Sequence, residues 1–284
     1  MEGLEIWRNP KNGFIVFQLH YTANPLKRSE EWKQKTSSNL TRARFMQEYE
    51  ITWETWEGKP VYPDFAKKIH STTRELEPER GLPLLRGWDF GLTPACIVGQ
   101  LQGRQLVVLK EFVSVNMGID RFSREIVIPG CAIEFPAWGD PRKDWIDFID
   151  PAGLSKNQVN EVTCAQQMTK NGIKRIFPGV IDWEGRRSAV ERLLTTYFRR
   201  GNEVHPAVII SQSGCPDLVQ GFLGGYRYPD KAIEVEPDKI KPIKNRYSHI
   251  HDGFQYLASR ASSLIRPGSG AGNDIPIPGY RLGG

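Results

Sequence analysis

The chain has 284 residues, a formal net charge of +5, and 39% hydrophobic and 11% aromatic residues. Such a composition excludes intrinsic disorder, and the length allows one large domain or two small ones with ample core. The mild positive balance permits a polyanionic partner without demanding one. No apolar run approaches the roughly 18 residues of a membrane span, and the first residues lack a signal-peptide layout, so a cytosolic protein with no membrane contact is expected.

In chain order, Phe14 to Leu19 reads as a short strand followed by a turn at Tyr21 to Pro25. Glu30 to Tyr49 is polar, basic and helix-prone, and Pro60 to Pro63 is a connection. From Leu84 to Val113 the pattern is strand, turn, strand, with Ala95 to Val98 and Leu106 to Leu109 flanking Gln102-Gly103. Gly118 to Ile128 is predicted as a helix stopped by Pro129. Trp145 to Asp150 is a strand ended by Pro151, which has no N–H to donate. Helices are expected over Glu161 to Lys170, Arg186 to Arg199 and Pro216 to Leu223, with strands at Ile173 to Phe177 and Ala207 to Ser211. Tyr226 to Lys244 suggests a projecting hairpin, Ser248 to Ile265 a last helix, and the Gly-rich stretch from Arg266 a flexible tail. The expected organisation is a lead-in segment at 1–70, a main domain at 71–265 and a tail at 266–284. A mixed sheet covered on both faces, hence an α/β fold, is implied by this order. Cys96, Cys131, Cys164 and Cys215 are dispersed, with no C-x-x-C, and read as reduced thiols.

Three aspartates stand out. Asp89 ends the run Leu84 to Gly91, Asp150 ends Ile146 to Gly153, and Asp252 lies in Ser248 to Leu257. Period-two alternation puts Gly87 and Asp89 on one side of their strand, a small surface open to a bulky ligand. Asp150 continues the face of Ile146 and Phe148, where an apolar residue is expected and a buried charge calls for a cationic partner. Asp252 falls opposite the apolar stripe Phe254, Leu257, Ala258, Ala261, Leu264 and Ile265, in the second turn if Ser248 is the N-cap. There it reads either as a solvated acid or as a ligand. Carboxylates on two strand ends and a helix start suit Mg²⁺, and two such ions about 4 Å apart can clamp the attacking and leaving oxygens of a phosphodiester. The three are too far apart for a local metal loop, so they converge by folding or do nothing together. His249 and His251 are candidates for proton transfer or phosphate binding, or are structural.

Two basic groups are candidates for phosphate contact, which supplies most sequence-independent affinity for DNA. Lys239, Lys241, Lys244 and Arg246 sit at the base of the expected hairpin; Lys170, Lys174, Arg175, Arg186 and Arg187 form the second group. Proximity to Asp252 favours the first.

Gly87-Trp88-Asp89-Phe90-Gly91, Asp150-Pro151-Ala152-Gly153 and the run Tyr247 to Leu257 resemble the nuclease-domain motifs of the large terminase subunit of tailed bacteriophages. The stretches Phe17 to Pro25, Phe45 to Glu50 and Val61 to Phe65 are similar to the region C-terminal to that family's ATPase motor. The resemblance spans roughly residues 14 to 265. It implies an RNase H-like mixed central sheet flanked by helices. It also implies a two-metal (Mg²⁺ or Mn²⁺) endonuclease that cuts concatemeric double-stranded viral DNA during packaging in the host cytoplasm. Asp89, Asp150 and Asp252 would be the metal-binding acids, and the small subunit, the portal protein and the motor the partners. Some members carry a further acid soon after the first aspartate, where this chain has Gly91, Leu92 and Thr93. The motor's G-x-x-x-x-G-K-[ST] is absent, so no ATP hydrolysis by that mechanism is expected. The chain would then be the nuclease half of a longer protein or a product encoded apart from its motor. The competing readings are a resolvase or transposase core of the same fold and a non-catalytic packaging module that docks on DNA or the portal.

Overall fold

The computed structural model describes residues 3–8, 13–37, 49, 59–155, 162–229 and 241–264. It divides into two units, Met1–Val61 with Leu223–Pro242, and Tyr62–Phe222 with Ile243–Gly284. The expected projecting hairpin and tail fall largely outside the described residues.

In the first unit, β1 (Leu4–Arg8) and β2 (Ile15–Leu19) pair antiparallel. Helix α1 (Glu30–Ser37) forms the first part of the expected long helix, and Tyr49 at its expected end lies in a turn. Tyr21 stacks on Trp32, with ring centres 5.1 Å apart, and Tyr49 meets both rings edge-on.

The second unit holds a seven-stranded mixed sheet. After the single-turn helix α2 (Lys67–His70) come β3 (Ser71–Thr72), β4 (Leu85–Asp89), β5 (Ala95–Gln102) and β6 (Gln105–Val113). β4, β5 and β6 form an antiparallel meander because short turns join them. β7 (Ile146–Ile149) pairs parallel with β4, and β8 (Ile176–Pro178) parallel with β7. On the other edge β11 (Val208–Ser211) joins β6 and β3 in parallel, giving the order β3-β11-β6-β5-β4-β7-β8.

Both faces of this sheet are covered. On one face, Trp88, Cys96, Val98 and Ile149 pack with Phe122, Ile128, Cys131, Trp145 and Met168. Phe122, Ile128 and Cys131 belong to a helical run of α3 (Ile119–Arg121), a π-helical stretch (Phe122–Val127) and α4 (Ile128–Glu134). The sequence puts a stop at Pro129; instead Pro129 sits in the first turn of α4, where an N–H is not needed, after a wider π turn that relieves its clash with the preceding turn. Met168 comes from α5 (Cys164–Lys170), which Thr163 and Gln166 start with a reciprocal capping box.

The other face carries α8 (Arg246–Leu264), packed against β4 and β5 and flanked by α6 (Trp183–Thr195) and α7 (Pro216–Gln220). α6 starts at Asp182, whose carboxylate accepts the Gly185 N–H at 2.7 Å, and ends at Thr195 rather than running on to Arg199. Tyr197–Arg200 (β9) instead pairs with Glu203–Pro206 (β10) across Gly201-Asn202. Aromatic residues beside a Gly-Asn pair favour that hairpin over another helical turn. Because α6 lies over α8, residues on both sides of α8 are buried, from Ile250 through Ala258.

Candidate functional site

Position 87 sets the geometry. A Cβ on Gly87 would stand 2.2 Å from the Gly253 carbonyl oxygen, so backbone meets backbone where α8 crosses β4. The small surface that the alternation exposes at Gly87 therefore receives this helix, not a ligand. The contact lowers the residue next to Gly253, Asp252, towards the end of β4, where Asp89 is the last residue.

Asp150 arrives by a second route. β4 and β7 run parallel, Trp88 pairs with Ile149, and the Asp150 N–H bonds the Trp88 carbonyl at 3.1 Å. Asp89 and Asp150 thus leave the same end of the sheet on neighbouring strands. Asp150 caps the 3-10 turn Pro151–Leu154, its Oδ1 accepting the Ala152 N–H at 2.9 Å. Gly153 keeps this turn against β4: the Phe90 ring lies where its Cβ would be, 2.1 Å away.

Asp89, Asp150 and Asp252 line one pocket of about 420 Å³, with Arg186, Lys244 and Tyr256 among its other walls. Their surroundings differ. Asp89 is buried, which raises its carboxyl to about 6 against the pull of His249; the charge of Asp252 adds to the rise. His249 Nδ1 lies 3.0 Å from Asp89 Oδ2. An ionised carboxylate can only accept, so Nδ1 carries the proton in that bond. Asp252 is 5% exposed, not a solvated acid, because the covering helix α6 is invisible to a helical wheel drawn on α8 alone. Lys244 Nζ bonds Asp252 Oδ2 at 2.6 Å, and Arg186 Nη1 lies 3.7 Å from Oδ1. Asp150 is only half-buried, so the expected cost of burying its charge does not arise there. That cost falls three residues earlier, on Asp147, which the sequence does not mark out.

Among the described residues, no three His, Cys, Asp or Glu side chains are gathered closely enough to hold an ion. The donors nonetheless suit a hard cation: three carboxylates on one open pocket, two of them already engaged with positive or proton-donating side chains. Arg186 is the group that sequence reasoning assigned to a remote basic cluster. Its guanidinium lies over the Tyr256 ring at 4.8 Å. A signal existed in the first turn of α6, but its register towards Asp252 depends on how two helices pack.

The other basic residues part company. Arg246 pairs with Asp217, and Arg187 with Glu184 and Glu191. Lys241 is exposed, and Lys239 lies outside the described residues. His251 is buried among Tyr62 and Phe222, and burial lowers its imidazole to about 3, so it is a packed neutral ring and not a proton carrier at this pocket. The four cysteines are free thiols, and no described helix is long and apolar enough to cross a membrane.

No family model and no curated protein matches the sequence. Among solved structures, the large terminase of a thermophilic bacteriophage, in complex with ATP-gamma-S, is similar over 84% of this chain and 54% of its own, with 14% identity and a TM-score of 0.53. Another crystal form of that protein matches over 83% of this chain and 52% of its own, with 15% identity and a TM-score of 0.52. The P22 large terminase nuclease domain matches over 69% of this chain and 89% of its own, with 10% identity and a TM-score of 0.48. The chain spans about half the length of the thermophilic phage protein. Its mixed seven-stranded sheet between helices is an α/β fold shared with that large terminase.

Proposed function

We propose that this chain is a divalent-metal-dependent endonuclease, the nuclease part of a large terminase, which cuts concatemeric double-stranded viral DNA during genome packaging in the host cytoplasm. One observation carries the reading: carboxylates from the ends of two parallel strands and from α8 line a single open pocket, in a fold shared with a large terminase. Asp89, Asp150 and Asp252 would hold two Mg²⁺ or Mn²⁺ ions. Metal held by these carboxylates would supply a lowered pKa for a water and charge stabilisation for the leaving 3′ oxygen.

The chain's own groups supply orientation and charge. β4 and β7 fix the two strand-end carboxylates at one end of the sheet, and His249 holds Asp89 through its Nδ1–H. Arg186, stacked on Tyr256, keeps a positive charge on the pocket wall where a phosphate enters. Lys244 on the same wall, and the exposed Lys241 before it in the chain, would be DNA contacts that carry no base information, which suits cutting with little sequence preference. Residues 71–265 would be the nuclease domain, and the small subunit, the portal protein and an ATPase motor its packaging partners. With no phosphate-cradling G-x-x-x-x-G-K-[ST], no ATP hydrolysis by that mechanism is expected of the chain.

A plasmid-nicking assay in Mn²⁺ or Mg²⁺ tests this reading. Cleavage should stop on chelation and fall by about a hundredfold or more in Asp150→Asn, since even outer partners of metal ligands matter on that scale. Undiminished nicking by purified Asp150→Asn would sink the assignment.

A further inference from the structure

Two cations hold Asp252, and they are not alike. Arg186 is packed in place: its side chain is 13% exposed, its guanidinium covers Tyr256, and it meets Asp252 Oδ1 at 3.7 Å. Its Nε and Nη1 hydrogens find no hydrogen-bond acceptor among the described residues, so the site keeps this cation at some cost. Lys244 is the reverse case. Its side chain is 71% exposed, it precedes α8, and its only polar side-chain contact among the described residues is the 2.6 Å bond to Asp252 Oδ2. An ammonium on a flexible four-carbon stem regains its hydration readily when it swings out.

We infer that Lys244 is a displaceable counter-ion of Asp252: a divalent ion entering the pocket takes its place, and the released ammonium passes to a phosphate of the bound duplex. The inference rests on the nuclease reading above. The Lys244 ammonium takes one of the electron pairs on Oδ2 and sets a like charge beside an incoming metal ion, so metal entry weakens the Lys244 pair. A phosphate at the pocket mouth offers the lysine another anion. Each ligand therefore favours the other, and the coupling is reciprocal. In the absence of DNA the site holds metal weakly; on DNA it holds metal well.

Mn²⁺ binding followed by loss of the free-ion EPR signal tests this, on the full chain, with and without a short phosphorothioate duplex that resists cleavage. Lys244→Met should bind Mn²⁺ about fivefold more tightly than wild type without DNA, the scale of an exposed ion pair. The duplex should then tighten Mn²⁺ binding by about fivefold less in Lys244→Met than in wild type. Lys143→Met, which removes the same charge from an exposed position paired with Asp140, should leave Mn²⁺ affinity unchanged. Equal Mn²⁺ affinity in wild type and Lys244→Met overturns the role of Lys244 and leaves the nuclease reading standing. Equal tightening in Lys143→Met overturns it as a general charge effect. If neither wild type nor Lys244→Met binds Mn²⁺, with or without duplex, the nuclease reading itself falls.

Discussion

Strands β4 and β7 carry two sets of charged residues three positions apart, and the sets have opposite fates. Arg86 and Asp147 are register partners on the face that packs against α3, α4 and α5. Arg86 gives Nε to Asp147 Oδ1 at 2.8 Å and Nη2 to Oδ2 at 3.0 Å, and Nη2 also reaches the Pro141 carbonyl. Trp88 Nε1 gives a further bond to Asp147, while the Trp88 and Trp145 rings lie about 5 Å from the guanidinium. Burial works against the Arg86 charge, yet Asp147 beside it more than offsets this and raises its pKa. Asp89 and Asp150 leave the same strands on the opposite face, where the sheet ends in an open pocket. The lesson is that burial alone does not separate structure from chemistry. A charge whose bonds all close inside the core is scaffold, and one that faces an open pocket keeps room for a ligand.

The largest expected effect comes from the scaffold pair. Asp147→Ala strands a fully buried guanidinium and should cost about 3–5 kcal/mol in urea unfolding, whereas Asp89→Asn should stay within about 1 kcal/mol of wild type. If Asp89→Asn destabilises as strongly as Asp147→Ala, the contrast fails.

Next in size is Gly87→Ala, which drives a methyl group into the Gly253 carbonyl and must lift α8 from β4. Overpacking of this kind costs about 1–3 kcal/mol. It should also depress Mn²⁺ binding, because Asp252 rides on the displaced helix. A variant that unfolds less easily or binds Mn²⁺ as wild type does would show that the glycine contact does not position the third carboxylate.

Glu111 lies between the extremes and sharpens the comparison. It accepts the Asp217 and Leu218 N–H groups at 2.7 and 2.9 Å, but burial outweighs them and raises its carboxyl to about 7 from 4.5. The folded protein then keeps a proton that the unfolded chain has lost, so the stability it contributes is complete below pH 4.5 and declines as pH rises through 7. Glu111→Gln mimics the protonated form, and its unfolding free energy should fall less between about pH 5 and 8 than that of wild type. Parallel pH profiles would mean that Glu111 is already ionised across this range.

The smallest effect belongs to the surface. Lys110 and Glu134 meet at 2.5 Å, yet both are partly exposed, so Lys110→Ala should cost at most about 1 kcal/mol and less in high salt. A short distance without burial should leave little trace in a salt titration of unfolding.

Much of this was legible in the chain. Asp89 and Asp150 follow apolar runs and are followed by breakers, which reads as strand-end carboxylates without any partner being known. The scaffold pair was not marked out by pattern, although it obeys the same register as the two aspartates. Arg86 and Asp147 are 61 residues apart, as are Asp89 and Asp150, because strands in parallel register preserve the offset. Arg186 and the burial of Asp252 were not legible, since periodicity on one helix says nothing of the helix laid over it. Pro129 misled for a related reason. A π turn that makes room for a proline leaves no mark in propensity.

The Phe90 ring seated on Gly153 ties the turn after β4 to the turn after β7, so neither carboxylate-bearing turn can shift without carrying the other. Asp89 and Asp150 behave as one jaw of fixed span, and Asp252 on its helix as the opposing jaw. If the proposed metal ions bind there, adjustment to an ion of different radius would fall to the helix side, where α8 crosses β4 at Gly87 and Gly253.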